Sequence, residues 1–456
     1  MITRRTISLL LFVGTLPMSA AIADDWPQWL GPKRDGVWRE TGIAARFPAE
    51  GPKIRWRAKI SEGYSGPAVA QGKVIVTDRV LRAGARNPKN AFSRSRVAGK
   101  ERVLCLDESS GKALWVHEYD CPYEVSYAAG PRTTPVIAGD RVYTLGTMGD
   151  LLCLNLADGK VVWSKNFVRD YDAPVPLWGF AAHPLLDGDR LVCLVGAKGG
   201  LAMAFDKISG KELWKALDSE EPGYAPPMLF TAGGQRQLLI WHPESVNSLE
   251  PETGKVNWTF PFTGRNNRKL KAGLSIPTPR LDGGRLFLTA FYDGSLLLKL
   301  NGIEKPEQVW RSKGRSEQPD GTDALHSIMS TPYIKDGHIY GVCSYGELRC
   351  LDEAAGKRLW SSHQATGGKS LRWANAFLVP QGERCFLFNE LGDLIIARLS
   401  PKGYEEISRA NILTPTNTMA PPAGRRVIWS HPAFANRCCY ARNDEEIVCV
   451  DLAERK

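Results

Sequence analysis

Two kinds of residue in this chain could carry chemistry. One is the adjacent thiol pair Cys438-Cys439. The other is a scatter of aromatic, basic and histidine side chains between short apolar runs: Tyr64, Tyr127, Arg132, Trp178, His183, Tyr224, Lys271, His326, Arg372, Trp373 and His431. Aromatic faces beside guanidinium groups suit the binding of a peptide or a sugar. Acid–base or nucleophilic catalysis would need a nucleophile, a base and an orienting group, and no spacing here identifies such a set. His183 and His431 each stand before a proline at the start of a recurring strand, so both read first as repeat positions and second as acid–base candidates. By themselves the two thiols read as strand neighbours, one facing each side. Of the other cysteines, Cys105, Cys153, Cys193, Cys343, Cys350, Cys385 and Cys449 lie in apolar strand words and Cys121 in a loop-like stretch. Buried cysteine acts as a small hydrophobe. No Cys-x-x-Cys-His haem motif and no His/Cys cluster at zinc spacing occurs.

The elements that must position these residues come from a repeated phrase. CLDESSGKALW (105–115) returns as CLNLADGKVVW (153–163), AFDKISGKELW (204–214), SLEPETGKVNW (248–258) and CLDEAAGKRLW (350–360). An apolar run reads as a strand, Asp and Gly make a tight turn, and a second strand follows with Trp at a fixed place. Trp56, Trp115, Trp163, Trp214, Trp258, Trp310 and Trp360 are spaced by 59, 48, 51, 44, 52 and 50 residues. Burying one indole removes about 150–250 Å2 from water. A Trp fixed in every repeat therefore predicts stacking between neighbouring repeats. An eighth unit lacks the Trp but keeps a strand near Glu406-Ile407-Ser408.

Between the Trp positions lies a second pattern of strand, Gly turn and strand, as in TTPVIAGDRVYTLG (133–146) and STPYIKDGHIYGVCS (330–344); it occurs eight times. Four antiparallel strands per roughly 50 residues is the size of a propeller blade. The expected fold is all-β, an eight-bladed β-propeller of four-stranded antiparallel blades joined by tryptophan docking. The Asp-x3-Gly-Lys turn is read as passing from the outer strand of one blade to the inner strand of the next. The first and last blades both look complete in chain order, which leaves ring closure undecided; seven blades with a spare unit fit the count less well.

The repeated phrase resembles the tryptophan-docking repeat of the quinoprotein alcohol dehydrogenase-like (PQQ-like) β-propellers, over about residues 53–456. LKLNGIEKPEQVW (298–310) and the truncated CVDLAERK (449–456) depart from it. That family contains pyrroloquinoline quinone (PQQ)-dependent dehydrogenases as well as cofactor-free propellers of the BamB outer-membrane assembly type. Some of its dehydrogenases set a vicinal disulfide against the quinone, beside a calcium ion and a carboxylate base. The resemblance thus makes Cys438 and Cys439 a cofactor-binding alternative, with PQQ and calcium. The chain is nearly all blade and its residues do not match a calcium and base set, so no cofactor is expected.

Compartment and charge bound the partners. MITRRTISLLLFVGTLPMSAAIADDW has a basic start, an apolar run from Ile7 to Val13 and Ala21-Ile22-Ala23 before Asp24. It reads as a signal peptide, residues 1–23, cleaved after Ala23 by either the Sec or the twin-arginine route, with a periplasmic or secreted product. The run is too short to span a bilayer and no second one follows. No cysteine stands at the cleavage point, which argues against a lipoprotein. Without the leader's two arginines the net charge of +10 falls to +8. Part of it is local: Arg79, Arg82, Arg86, Lys89, Arg94, Arg96, Lys100 and Arg102 lie in residues 79–102. The run reads as a solvated loop, since no nucleic-acid module accompanies it. Residues 24–52, with DWPQWLGPKRDGVW, would pack on the propeller or cover one end of its channel. The connections after each Trp strand are long and varied, and all would emerge on one face, as would the basic run. That face is the expected binding site. The protein is therefore expected to be a non-catalytic scaffold for a protein, peptide or glycan, with a PQQ-dependent dehydrogenase or other channel enzyme as the alternative.

Overall fold

The computed structural model describes residues 24–262, 274–419 and 424–455. The proposed leader and Lys271 lie outside them. The described chain forms eight four-stranded antiparallel sheets, arranged as the blades of an eight-bladed propeller. In blade 1 the strands are Ala68–Ala70, Lys73–Leu81, Gly99–Asp107 and Ala113–Asp120, paired in chain order. The first strand is wholly buried and the fourth alternates exposed and half-buried residues, so the chain runs from the axis outward. Blades 2 to 7 repeat this order and end on Val161–Asn166, Glu212–Ala216, Val256–Pro261, Glu304–Arg311, Arg358–Ser362 and Gly403–Asn411.

Blade 8 settles the closure. Ala433–Ala435, Cys438–Arg442 and Glu446–Asp451 supply its three inner strands, and Ile54–Lys59, from the other end of the chain, is the outermost. Ala58 pairs with Ile447 and Trp56 with Cys449. Blade 1 is complete in chain order, whereas blade 8 is not. The first Trp strand belongs to the last blade, and the ring holds eight blades with no spare.

The repeated phrase also sits differently from its sequence reading. Asp-x3-Gly-Lys closes the hairpin between the third and fourth strands of one blade and does not cross between blades. Asp107 Oδ1 accepts the Ser110 N–H (2.9 Å), and Asp206 and Asp352 do the same for Ser209 and Ala355. The glycine has φ near +70° in each copy, where a side chain is strained. The joint is made by the Trp instead. Its indole lies over the turn glycine of the next blade and donates Nε1–H to a carbonyl there: Trp56 to Glu108 (2.7 Å), Trp115 to Leu156 (3.0 Å), Trp163 to Lys207 (3.0 Å) and Trp214 to Pro251 (3.0 Å). A small residue faces the Trp across the ladder, namely Cys449, Cys105, Cys153, Ala204 and Cys350 opposite Trp56, Trp115, Trp163, Trp214 and Trp360. That accounts for four of the ten cysteines as spacers beneath an indole.

The departures from the phrase have structural counterparts. Blade 5 turns at Asn301–Glu304 without the glycine seat, and the Nε1 of Trp258, on blade 4, is buried without a partner. Blade 8 has no third-to-fourth hairpin at all. The Trp that would dock there is Ser408, whose Oγ accepts the N–H of Phe47 from the N-terminal segment (3.0 Å).

That segment crosses the axis. Trp26 forms a bridge with Val69, Ile137 N–H reaches Pro27, Arg34 donates to the Pro184 and Pro227 carbonyls, and Trp38 N–H reaches Pro380. Trp38 packs between Phe386 and Phe434. Residues 24–40 therefore touch the inner strands of most blades and plug the channel.

Candidate functional site

In an antiparallel blade the connection between strands two and three and the connection to the next blade leave from the same end. The long connections consequently gather on one face, as the sequence suggested. The geometry behind this differs from the sequence reading: these connections leave the outermost strand and run to the next innermost one, and residues 82–98 join the second and third strands of blade 1.

On this face the channel opens as a funnel of about 390 Å3, whose floor is Trp29 of the plug. Tyr64, Tyr127, Arg132, Trp178, His183, Tyr224, Trp373 and His431 all line it. Among the described residues the wall holds eleven aromatic residues, one arginine, two histidines and no carboxylate. Sequence reasoning missed Trp29, Phe92, Phe291, Tyr292, Phe377 and Trp429, which line it too. Phe92 and Trp29 carried a usable signal, one being the aromatic in the basic run and the other part of DWPQW. Phe291 and Phe377 read as ordinary strand residues.

Two of the expected residues stand behind the wall. Arg372 pairs with Glu317 (3.1 Å) and lies over the Phe291 and Trp373 rings. His326 donates from Nδ1 to the Phe291 carbonyl (2.8 Å) and is buried.

The basic run is anchored at its two ends, on strands, while the cations between them are solvated as the sequence predicts. Arg79 is buried over the Tyr123 ring, with bonds to Asn87, Ala128 and Val97, and burial lowers its pKa. Arg102 pairs with buried Asp78 (2.6 Å). Arg82, Arg86, Lys89, Arg94 and Arg96 are exposed. The loop carries Phe92, 45% exposed, to the funnel mouth, where it meets Tyr127 (5.2 Å) and Trp373 (6.1 Å). Both of these partners have left-handed backbones, φ 54° and 66°. Such strain costs about 1–3 kcal/mol per residue and concentrates at functional sites.

Arg132 lies over the Tyr64 ring and donates to the Gly130, Ser126 and Tyr127 carbonyls. Carboxylates stay in the layer behind: Glu390 accepts from Arg425 and Trp429, and burial raises its pKa. Burial likewise raises Asp444, which accepts the Gly63 N–H (3.1 Å).

At the floor, His183 stacks on Trp29 (3.8 Å, 9°) and His431 meets the same indole edge-on (4.8 Å). His183 Nδ1 accepts the Thr134 N–H (2.8 Å), which places the ring proton on Nε2. His431 does the reverse: Nδ1–H donates to the Pro432 carbonyl (2.6 Å), leaving Nε2 bare. Burial lowers both pKa values, that of His431 to about 4, and Arg34 adds to the effect at His183, so both rings are neutral at pH 7.

Cys438 and Cys439 are far from this chemistry. They are buried, free thiols on the second strand of blade 8, paired across the ladder with Asp451 and Val450, and neither lines the funnel. All ten cysteines are free and buried, Cys121 included.

These features define a PQQ-like β-propeller with an aromatic funnel on its long-loop face. The family model described as outer membrane protein assembly factor BamB matches residues 99–313 and 244–456, and the chain belongs to that family. It is 24% identical to outer membrane protein assembly factor BamB of Alteromonas naphthalenivorans over 50% of this chain and 54% of that one. It is 23% identical to the Salmonella typhimurium factor over 61% and 66%, and 24% identical to the quinoprotein ethanol dehydrogenase of Pseudomonas aeruginosa over 51% and 35%. The matches thus span between about a third and two thirds of these relatives. Among solved structures, BamB of Moraxella catarrhalis superposes with a TM-score of 0.55 at 17% identity, covering 89% of this chain and 98% of that one. Quinohemoprotein alcohol dehydrogenase of Comamonas testosteroni gives 0.57 at 13%, covering 95% and 81%. At these identities the structural likeness speaks for the fold. Among the described residues no helix is long and apolar enough to cross a membrane.

Proposed function

We propose that this protein is an exported, non-catalytic scaffold that holds a protein partner on its long-loop face, in the periplasm, without a resident cofactor. Residues 1–23 act as its export signal, 24–52 as the plug and closing segment, and 53–456 as the propeller. The observation that carries this reading is the funnel itself: a blind, aromatic recess at the centre of the loop face, free of carboxylates among the described residues, beside five exposed cations of residues 82–98. Apolar pockets with few polar groups are binding sites by default. A glycan would want acceptor side chains beside the aromatic faces, and among the described residues the wall supplies no carboxylate. The relatives named as outer membrane protein assembly factors favour a partner in that process.

The dehydrogenase alternative needs calcium ligands and a carboxylate base next to the quinone. Among the described residues no three His, Cys, Asp or Glu side chains converge to hold a metal, and the two adjacent thiols lie outside the funnel. The residues do not fit that group.

Photo-crosslinking tests the reading. A benzoylphenylalanine at Phe92 or Trp373 is expected to give a discrete adduct in cells, and one at Gly188, on the hairpin face, none. Equal labelling from both faces would refute the scaffold reading. The cofactor clause is tested separately, by titrating PQQ and calcium into the purified chain. A saturable rise in Tm with a bound-quinone spectrum would remove it.

A further inference from the structure

The funnel floor is specific in a way that its walls are not. His183 and His431 touch the same indole, with ring centroids 3.8 and 4.8 Å from that of Trp29, so both rings border the funnel floor. Both are more than nine-tenths buried, and both line the cavity. Backbone bonds fix their tautomers in opposite senses. His183 presents an Nε2–H donor and His431 a bare Nε2 acceptor; among the described residues neither atom has a hydrogen-bond partner, and neither is sealed from solvent. A ligand that matches this pair exchanges water for a hydrogen bond at each atom, an exchange that is net favourable.

Few groups satisfy that pair. A carboxylate meets the lone pair of His431 with no proton to offer. An ammonium meets the His183 proton and shares the funnel with the Arg132 charge. A hydroxyl accepts from one ring and donates to the other. The surrounding wall, with Tyr64, Trp178, Phe291 and Trp429, is shaped for a ring.

We propose that the funnel binds a phenol, its hydroxyl bridging His183 Nε2–H and His431 Nε2 and its ring held in the aromatic wall. The inference rests on the binding reading above and specifies what enters the recess. The phenol has two sources, a tyrosine side chain of a protein partner or a free phenolic compound.

Calorimetric titration of the purified chain with N-acetyl-tyrosinamide and N-acetyl-phenylalaninamide tests it. The tyrosine compound is expected to bind about tenfold more tightly, as two recovered hydrogen bonds require. His183→Asn and His431→Asn each keep the backbone bond now made by Nδ1 and remove Nε2. Each is expected to abolish the preference while leaving the phenylalanine compound unaffected. Equal affinity of the two compounds for the unmodified chain overturns the proposal without any variant, as does a preference that survives both substitutions. Benzamide binding more tightly than p-cresol also overturns it, in favour of a carboxamide. p-Cresol matching the tyrosine compound assigns a free phenolic, and a gain from the peptide backbone assigns a partner's tyrosine; both uphold the phenol. Failure here is separable from failure of the scaffold reading. Crosslinks from Phe92 without a tyrosine preference sink the phenol alone, and a preference without crosslinks sinks the scaffold alone.

Discussion

Gly159 lies directly beneath the indole of Trp115: a Cβ built on this glycine would meet Cε3 of the ring at 2.5 Å. The same relation links Gly111 to Trp56, Gly210 to Trp163, Gly254 to Trp214 and Gly356 to Trp310. The glycine thus has two reasons to be there, its positive φ and the ring above it. Gly188 has φ 57° with nothing within 4 Å, and so isolates the first reason. Gly188→Ala is expected to cost about 1 kcal/mol. Gly159→Ala should cost about 2 kcal/mol more, because the blade joint must open. Urea denaturation of the two variants measures the difference, and equal losses would mean that the ring seat contributes nothing.

The closing strand is expected to behave as an ordinary outer strand although its sequence partner is nearly four hundred residues away. Trp56→Ala should destabilise as much as Trp115→Ala, by about 3–5 kcal/mol. A loss below about 1 kcal/mol for Trp56→Ala alone, read by thermal melting, would mean that the ring closes some other way.

Acid should weaken the floor. His431 has a folded pKa of about 4 against 6.5 for the free side chain. The unfolded chain therefore binds the proton first, and stability present above pH 6.5 is lost as pH falls towards 4. Buried Asp293, raised to about 6 mainly by desolvation, acts in the opposite sense. The test is thus a difference. The advantage of the native chain over His431→Asn should shrink by about 3 kcal/mol between pH 7 and pH 4. A constant gap in urea midpoints across that range would show that His431 titrates normally.

The thiols should be silent. Thiol reagents are expected to modify none of the ten cysteines rapidly in the folded protein and all ten in urea. Cys439→Ala should cost about 1 kcal/mol and leave funnel binding unchanged. Rapid labelling at Cys438 or Cys439, or lost binding in Cys439→Ala, would return the pair to the functional site.

Phe92 is the exposed lip of the funnel and packs on Tyr127 and Trp373. Phe92→Ala should weaken binding of N-acetyl-tyrosinamide several-fold while shifting Tm by less than about 2 °C. A large Tm loss would make Phe92 a structural anchor instead of a binding residue.

The sequence by itself determined the repeat, and through it the fold. Turn chemistry and strand alternation are local, and a Trp at a fixed step from Gly-Lys has one economical use, docking on a neighbour of the same kind. It also determined which face is variable, because the parity of an antiparallel blade sends all long connections to one end whichever strand is innermost. Tertiary structure decided the rest. Which strand lies outermost depends on burial against neighbouring blades, so the direction from axis to rim was read backwards from the chain alone. Ring closure depends on Trp56 pairing with Cys449 across almost the whole chain, a contact with no local signature. The funnel was half legible. Loop residues such as Trp178 and Trp373 stood out because an aromatic in a loop has no core to explain it. Trp29, Phe291 and Phe377 converge only when the plug crosses the axis and eight inner strands meet around it. The opposed tautomers of His183 and His431 belong to the same class, because each is set by a backbone group, Thr134 N–H or the Pro432 carbonyl, whose direction only the folded chain fixes.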